Sequence, residues 1–259
     1  MISFAGAGPG APDLLTLRAV DRLAAADVVI WASSLLPEAV LAHASPTAEI
    51  HDSAGMTFED VVAIYEAHPD AAIVRLHSGD VSLYSALQEQ LDWCLAHDRE
   101  FEIVPGVGAM AAASAAVARE LTVPAVAQTV IATRLPGRTA ASMPPGDSVA
   151  AYAAHGATMA IYLSGARAAQ LQDELLTGYA PDAPAVVVVR ATWPDEQVEV
   201  TTVADLATTM AATGARTTML VLVGPALAGA APRCLLYDPA YAHGHRRRST
   251  PGTTTGRPR

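Results

Sequence analysis

The stretch Ile2-Ser3-Phe4-Ala5-Gly6-Ala7-Gly8-Pro9-Gly10-Ala11-Pro12-Asp13 decides the reading of the chain. Ile2 to Ala5 reads as a strand, since β-branched and aromatic side chains suit a pleated, half-buried surface. Gly6 to Pro12 breaks it, because glycine frees the backbone and proline removes a hydrogen-bond donor. Asp13 is then expected to cap a helix that carries Leu14, Leu17, Val20, Leu23 and Ala24 along one face. Asp27 to Trp31 follows as a second strand. Strand, Gly/Pro loop, helix, strand is the opening of an α/β fold.

Working outward, Ala71 to Leu76 reads as a further strand that ends in His77-Ser78-Gly79-Asp80. A helix is expected from about Leu83 to Ala96, with Leu83, Leu87, Leu91 and Leu95 spaced four apart on one face. Phe101 to Val104 returns as a strand closed by Pro105-Gly106, and Ala109 to Ala118 is an alanine-rich helix whose small side chains permit close approach. From about Thr122 the alternation restarts, with Val130-Ile131, Met159 to Leu163, Ala185 to Val189, Val198 to Val200 and Met219 to Val223 as strands. Leu135 to Asp147 has three prolines, two glycines and no periodicity, which predicts a loop. The expected division is an α/β domain over residues 1–118, a second over 119–242, and a disordered basic tail over 243–259.

Composition removes several function classes. The 259 residues are 51% hydrophobic and 16% charged, ample for two buried cores. No apolar run reaches the roughly 18 residues of a membrane span, and no signal-peptide pattern opens the chain, so no membrane partner and a cytoplasmic location are expected. Cys94 and Cys234 lie far apart and outside any Cys/His ligand spacing, which predicts buried apolar thiols and no protein-bound metal. All 16 basic residues are arginine. Without lysine, neither Schiff-base chemistry nor a Walker A phosphate loop is available. Five of those arginines, Arg246, Arg247, Arg248, Arg257 and Arg259, fall in the tail. Residues 1–242 therefore set eleven arginines against all 26 acids, a body that repels a nucleic-acid backbone.

Three strand ends carry small, bendable loops: Gly6 to Ala11, His77 to Tyr84, and Val104-Pro105-Gly106-Val107-Gly108-Ala109-Met110. The first also fits the G-x-G-x-x-A of dinucleotide-binding folds. Pro9 removes one donor that a pyrophosphate would need, and Trp31-Ala32-Ser33-Ser34 has no acid to hold a ribose, so a small ligand lying against bare backbone fits better. Asp80 is placed equally well to cap the next helix or to meet a ligand.

Together the loops resemble the tetrapyrrole methylases, whose hallmarks are a GxGPG loop, a G-D-x-x-x-Y segment and a P-G-hydrophobic-small-small turn in this order. Trp31 to Pro37, His77 to Asp80, Ala127 to Arg134 and Arg190 to Glu196 further resemble the precorrin-4 C11 branch of that family. The likeness runs from about Ile2 to Leu227. Trp31-Ala32-Ser33-Ser34 stands where the branch usually reads Tyr-Ala-Gly-Ser, and Tyr84-Ser85 where it reads Tyr-Gly.

The resemblance implies a homodimer of two α/β domains that binds S-adenosylmethionine in the cleft between them and methylates precorrin-4 at C11. Carried over by motif, Pro9, Gly79, Asp80, Leu83, Gly108 and Ala109 would line the cofactor from the first domain, and Leu163, Ala191 and Thr218 from the second. The tetrapyrrole substrate carries many carboxylates. Arg134, Arg138 and Arg190 are the expected clamps, because a guanidinium holds a carboxylate bidentately. The nucleophile would be a ring carbon, so no side-chain nucleophile is expected. If a base assists, Asp195, Glu196, Asp80 and His77 are the candidates.

Overall fold

The computed structural model describes residues 1–136, 140–229 and 232–245. Two five-stranded sheets lie in succession along the chain. The first holds β1 (Ile2–Gly6), β2 (Val28–Trp31), β3 (Glu49–Asp52), β4 (Ile73–His77) and β5 (Phe101–Val104), in the order β3-β2-β4-β1-β5. Every pairing is parallel, with Gly6 beside His77 and Ala5 beside Val104. Parallel sheets are covered on both faces, and the two-residue alternation of β1 distributes its side chains accordingly. Ile2 and Phe4 join a core with Tyr65 and Val61 of α2 (Phe58–Ala67). Ala5 joins the opposite core with Ala19 and Leu23 of α1 (Leu17–Ala24). Each large buried side chain contributes about 1.5–3 kcal/mol.

Two expected helices shift in register. The α1 cap is Thr16, whose hydroxyl accepts from the Ala19 N–H at 3.2 Å, while Asp13 sits in a separate 3₁₀ turn over Pro12–Leu14. Starting at Leu17 rotates the buried face to Leu15, Ala19 and Leu23, and leaves Leu17 84% exposed. The helix expected from Leu83 begins only at Gln88, as α3 (Gln88–Ala96), because Tyr84 and Ala86 adopt left-handed φ of 55° and 48°. Leu95 consequently faces solvent. β3 has no hydrophobic alternation to announce it. It is an edge strand, where charged and polar side chains discourage further pairing.

After β5 comes α4 (Ala109–Ala116), then the second sheet: β6 (Val130–Arg134), β7 (Thr158–Tyr162), β8 (Pro184–Val189), β9 (Gln197–Thr202) and β10 (Met219–Val223). Its order is β6-β7-β10-β8-β9, with only β6 and β7 parallel. One face packs on α5 (Val149–Ala153), α6 (Ala168–Leu175) and α7 (Leu206–Ala212) through Ile161, Val187 and Val221. The other face, through Ala160, Val186, Val188, Leu220 and Leu222, receives Ala113 and Met110 of α4. The alanine-rich helix thus leaves the first sheet and seats on the second. Of the stretch Leu135 to Asp147, the described residues 135–136 and 143–147 lie outside helix and strand, as expected, and Ala140–Ser142 forms a 3₁₀ turn.

Cys94 is fully buried, but Cys234 is half-exposed, since it lies beyond the last strand where no core covers it. Among the described residues no helix is long and apolar enough to cross a membrane.

Candidate functional site

The order β4-β1-β5 sets three loops side by side at the carboxyl ends of adjacent parallel strands, where open α/β sheets place ligands. Backbone contacts lock them together. Ala7 N–H donates to His77 O at 2.8 Å, and Gly8 and Gly79 exchange bonds of 3.2 and 2.7 Å. Gly106 lies so close beneath them that a Cβ there would sit 2.7 Å from Gly6 Cα and nearer still to Gly79 O. Only a bare α-carbon fits, which is the physical content of the P-G turn.

Asp80 completes the lock. Its Oδ2 accepts from Gly106 N–H at 2.8 Å and its Oδ1 from Ser82 N–H at 2.9 Å. Burial alone would raise its pKa, but these bonds and that of the Ser82 hydroxyl outweigh burial and hold it below the usual carboxylate value. Asp80 caps no helix, because α3 starts eight residues later. Both of its carboxylate oxygens are taken up by the bonds from Gly106 and Ser82.

A cavity of about 170 Å³ opens beside the locked loops. Pro9, Leu83 and Ala109 line it from the first sheet's loops, and Leu163, Ala191 and Thr218 from the second sheet's strand ends. The other three expected cofactor residues, Gly79, Asp80 and Gly108, do not line it; a Cβ on Gly79 would lie 3.4 Å from the lining residue Ala109 and one on Gly108 3.7 Å from Asp80 Cβ. At about 170 Å³ the cavity is smaller than the roughly 300 Å³ at which sites for whole drug-sized ligands start.

Strain concentrates here. Tyr84, Leu163 and Thr218 line the cavity with left-handed φ of 55°, 54° and 53°, and Arg190, at 49°, donates its N–H to Thr218 O. Such backbone in residues other than glycine costs about 1–3 kcal/mol each and collects at functional sites.

The 190–196 segment clasps the first loop. Trp193 Nε1–H donates to Pro9 O at 3.0 Å, and Ala11 N–H donates to the Thr192 hydroxyl at 2.9 Å. The indole lies against Gly10, where a Cβ would overlap it. Tyr84 and Tyr162 approach at 5.1 Å between ring centres, joining the two halves across the cavity.

The candidate clamps are distributed unevenly. Arg190 pairs with Asp195 and lies 5.5 Å from the Trp193 ring centre. Arg134, at the end of β6, donates to the Ser142 hydroxyl at 2.8 Å. Arg138 lies outside the described residues. Of the other base candidates, Glu196 accepts from Thr192 N–H at 2.6 Å and Asp195 holds Arg190. His77 is buried, and desolvation with the nearby Arg75 charge pushes its pKa down to about 3. A histidine held neutral so strongly is a poor base at pH 7.

Sequence reasoning did not single out Leu35, Tyr162, Val188 and Leu220, which also line the cavity. Leu35 lies within the Trp31 to Pro37 segment already noted. The others look like ordinary strand residues, and only the packing of the two halves reveals them.

A family model described as Tetrapyrrole (Corrin/Porphyrin) Methylases matches residues 1–207. The chain belongs to the tetrapyrrole methylase family. Within it, the chain is 40% identical over 243 residues to a precorrin-4 C(11)-methyltransferase of a Sinorhizobium species, covering 93% of this chain and 96% of that one. The structure of a cobalt precorrin-4 methyltransferase of cobalamin biosynthesis superposes with a TM-score of 0.83 at 39% identity, over 87% of this chain and 95% of its own. A uroporphyrin-III C-methyltransferase of Thermus thermophilus, complexed with S-adenosylhomocysteine, gives a TM-score of 0.71 at 27% identity, over 87% and 92%. For a tetrapyrrole methylase, the locked loops account for part of the family's signature: Gly6, Gly10 and Gly106 mark close approaches that a Cβ would prevent.

Proposed function

We propose that this chain transfers the methyl group of S-adenosylmethionine to C11 of precorrin-4, with or without cobalt in the ring, as a cytoplasmic homodimer of two α/β domains divided near residue 118. The observation that carries the reading is the cavity between the sheets, walled jointly by Pro9, Leu83, Ala109, Leu163, Ala191 and Thr218. The relatives named above support the choice of precorrin-4, and the Thermus complex supports the cofactor.

The cavity suits such a cofactor in kind. Leu83, Leu163, Val188 and Leu220 offer apolar surface for a purine, while Ser78 and Thr218 add hydroxyls for polar edges. When bound, the cofactor supplies an electrophilic methyl on a sulfonium that already carries its leaving group. The protein's task is then to orient and to exclude water. Asp80 fixes the Gly106 and Ser82 backbones, Trp193 fixes the Pro9 carbonyl, and the Tyr84–Tyr162 pair narrows access. Arg134, Arg138 and Arg190 are assigned to the substrate's carboxylates, with Arg190 exchanging Asp195 for a substrate carboxylate.

The test is incubation of the purified protein with precorrin-4 and methyl-labelled S-adenosylmethionine, with the product resolved by mass spectrometry and its carbon position by NMR. One labelled methyl at C11 is expected. Labelling of a different precorrin and not precorrin-4 refutes the substrate assignment. Calorimetric titration with S-adenosylhomocysteine and with NAD checks the cofactor, and selective NAD binding refutes it.

A further inference from the structure

We propose that Glu49, His51 and His68 form a binding site for a divalent ion of the zinc class, separate from the cavity. Glu49 and His51 are two apart on β3, so their side chains leave the same face of the edge strand. His68 closes α2 and reaches the same point from the opposite direction in sequence. Their ligand atoms all lie within 4.8 Å of one another. Each imidazole Nε2 faces a different oxygen of the one carboxylate, His51 at 2.8 Å and His68 at 3.5 Å. A tetrahedral ion with bonds of about 2.0–2.1 Å separates its ligands by roughly 3.3 Å, so the side chains need only small rotations to close on it.

Two further observations favour an ion over a simple pair of hydrogen bonds. The His51 Nε2 is buried and, despite its closeness to Glu49, makes no aligned hydrogen bond. A buried polar atom without a directed partner is costly, and a metal is one of the groups that relieves it. The His68 backbone is also braced: Arg99 donates to His68 O at 2.6 Å and to Pro69 O as well. That fixes the ligand on the less regular element, as a preorganised site requires.

The donor set selects the ion. Two imidazoles and one carboxylate suit zinc, cobalt or nickel, whereas calcium and magnesium prefer oxygen alone. Three protein ligands leave a fourth position for water. None of the three residues lines the cavity, so the ion acts as a clip between β3 and the end of α2 and takes no part in methyl transfer. The inference stands apart from the proposed function, because its readout is metal content.

The experiment uses the untagged full chain, stripped with chelator and dialysed against Zn²⁺, with bound zinc measured by mass spectrometry. His243 and His245 lie 6.4 Å apart between ring centres and form a possible second zinc-binding pair, so H243Q/H245Q is the control. One equivalent is expected in the unaltered chain and in H243Q/H245Q, with at least about tenfold weaker binding in H51Q and in H68Q. The stripped protein should melt lower than the zinc-loaded one, and this difference should vanish in H51Q. Zinc content unchanged in H51Q and H68Q, or lost in H243Q/H245Q alone, overturns the site.

Discussion

Replacing Gly106 by alanine puts the locked loops to a quantitative test. The new Cβ meets Gly6 Cα at 2.7 Å, Gly6 C at 2.9 Å and Gly79 O closer still. All three are backbone atoms of adjacent strand ends, so no flexible side chain can swing aside. Forcing a methyl group into a packed space costs about 1–3 kcal/mol. For a protein of this size each kcal/mol moves the melting temperature by about 2–4 °C, so a fall of about 4–8 °C corresponds to the middle of that range. Gly55→Ala is the matched control, because its Cβ meets nothing within 4 Å and it should hold or slightly raise stability. Differential scanning fluorimetry reads both variants, and calorimetry with S-adenosylhomocysteine reads the second consequence. Displacing Gly6 or Gly79 moves the wall of the cavity, so binding should weaken in Gly106→Ala and stay unchanged in Gly55→Ala. A Gly106→Ala protein that melts at or above the control would show that the loops are not packed as described.

Ala109→Leu places a larger side chain in the cavity itself and should abolish S-adenosylhomocysteine binding by calorimetry while the far-UV spectrum stays native. Trp193→Phe keeps the ring against Gly10 but removes the bond to Pro9 O, and should cost about 1 kcal/mol in urea denaturation. Asp80 has a folded pKa below its unfolded one, so its contribution is present above about pH 3.9 and is lost as pH falls through the lower folded value. Denaturation midpoints across that acid range should therefore drop less steeply in Asp80→Asn than in the unaltered chain.

Much of this arrangement is legible in the sequence because it depends on backbone. Gly6, Gly8, Pro9, Gly79 and Gly106 signal turns and close approaches wherever they occur, and the strands they end are apolar and short. What stays hidden depends on side chains meeting across the molecule. The helix over 83–87 fails because Tyr84 and Ala86 are held in a left-handed backbone that nothing in their own residue type favours. β3 is concealed because an edge strand has no buried face to advertise. The Glu49, His51 and His68 cluster is concealed twice over, by that same edge strand and by the long separation of His68 from its partners. Trp193 is visible as a distinctive residue, but its partner Pro9 is 184 positions away.

The seat of α4 has a consequence for how the chain is made. The helix is complete at Ala116, yet β10, the middle strand of the sheet it rests on, begins at Met219. At ribosomal speeds of about 5–20 residues per second, that interval amounts to about 5–20 s. Throughout it the nascent first sheet can close over its own two cores, while the face that receives Met110, Ala113 and Ala116 still lacks Leu220 and Leu222 and holds at most Ala160, Val186 and Val188. Thr218, Met219 and Leu220 belong to the cavity wall together with Ala109, so the wall is complete only once β10 has been made.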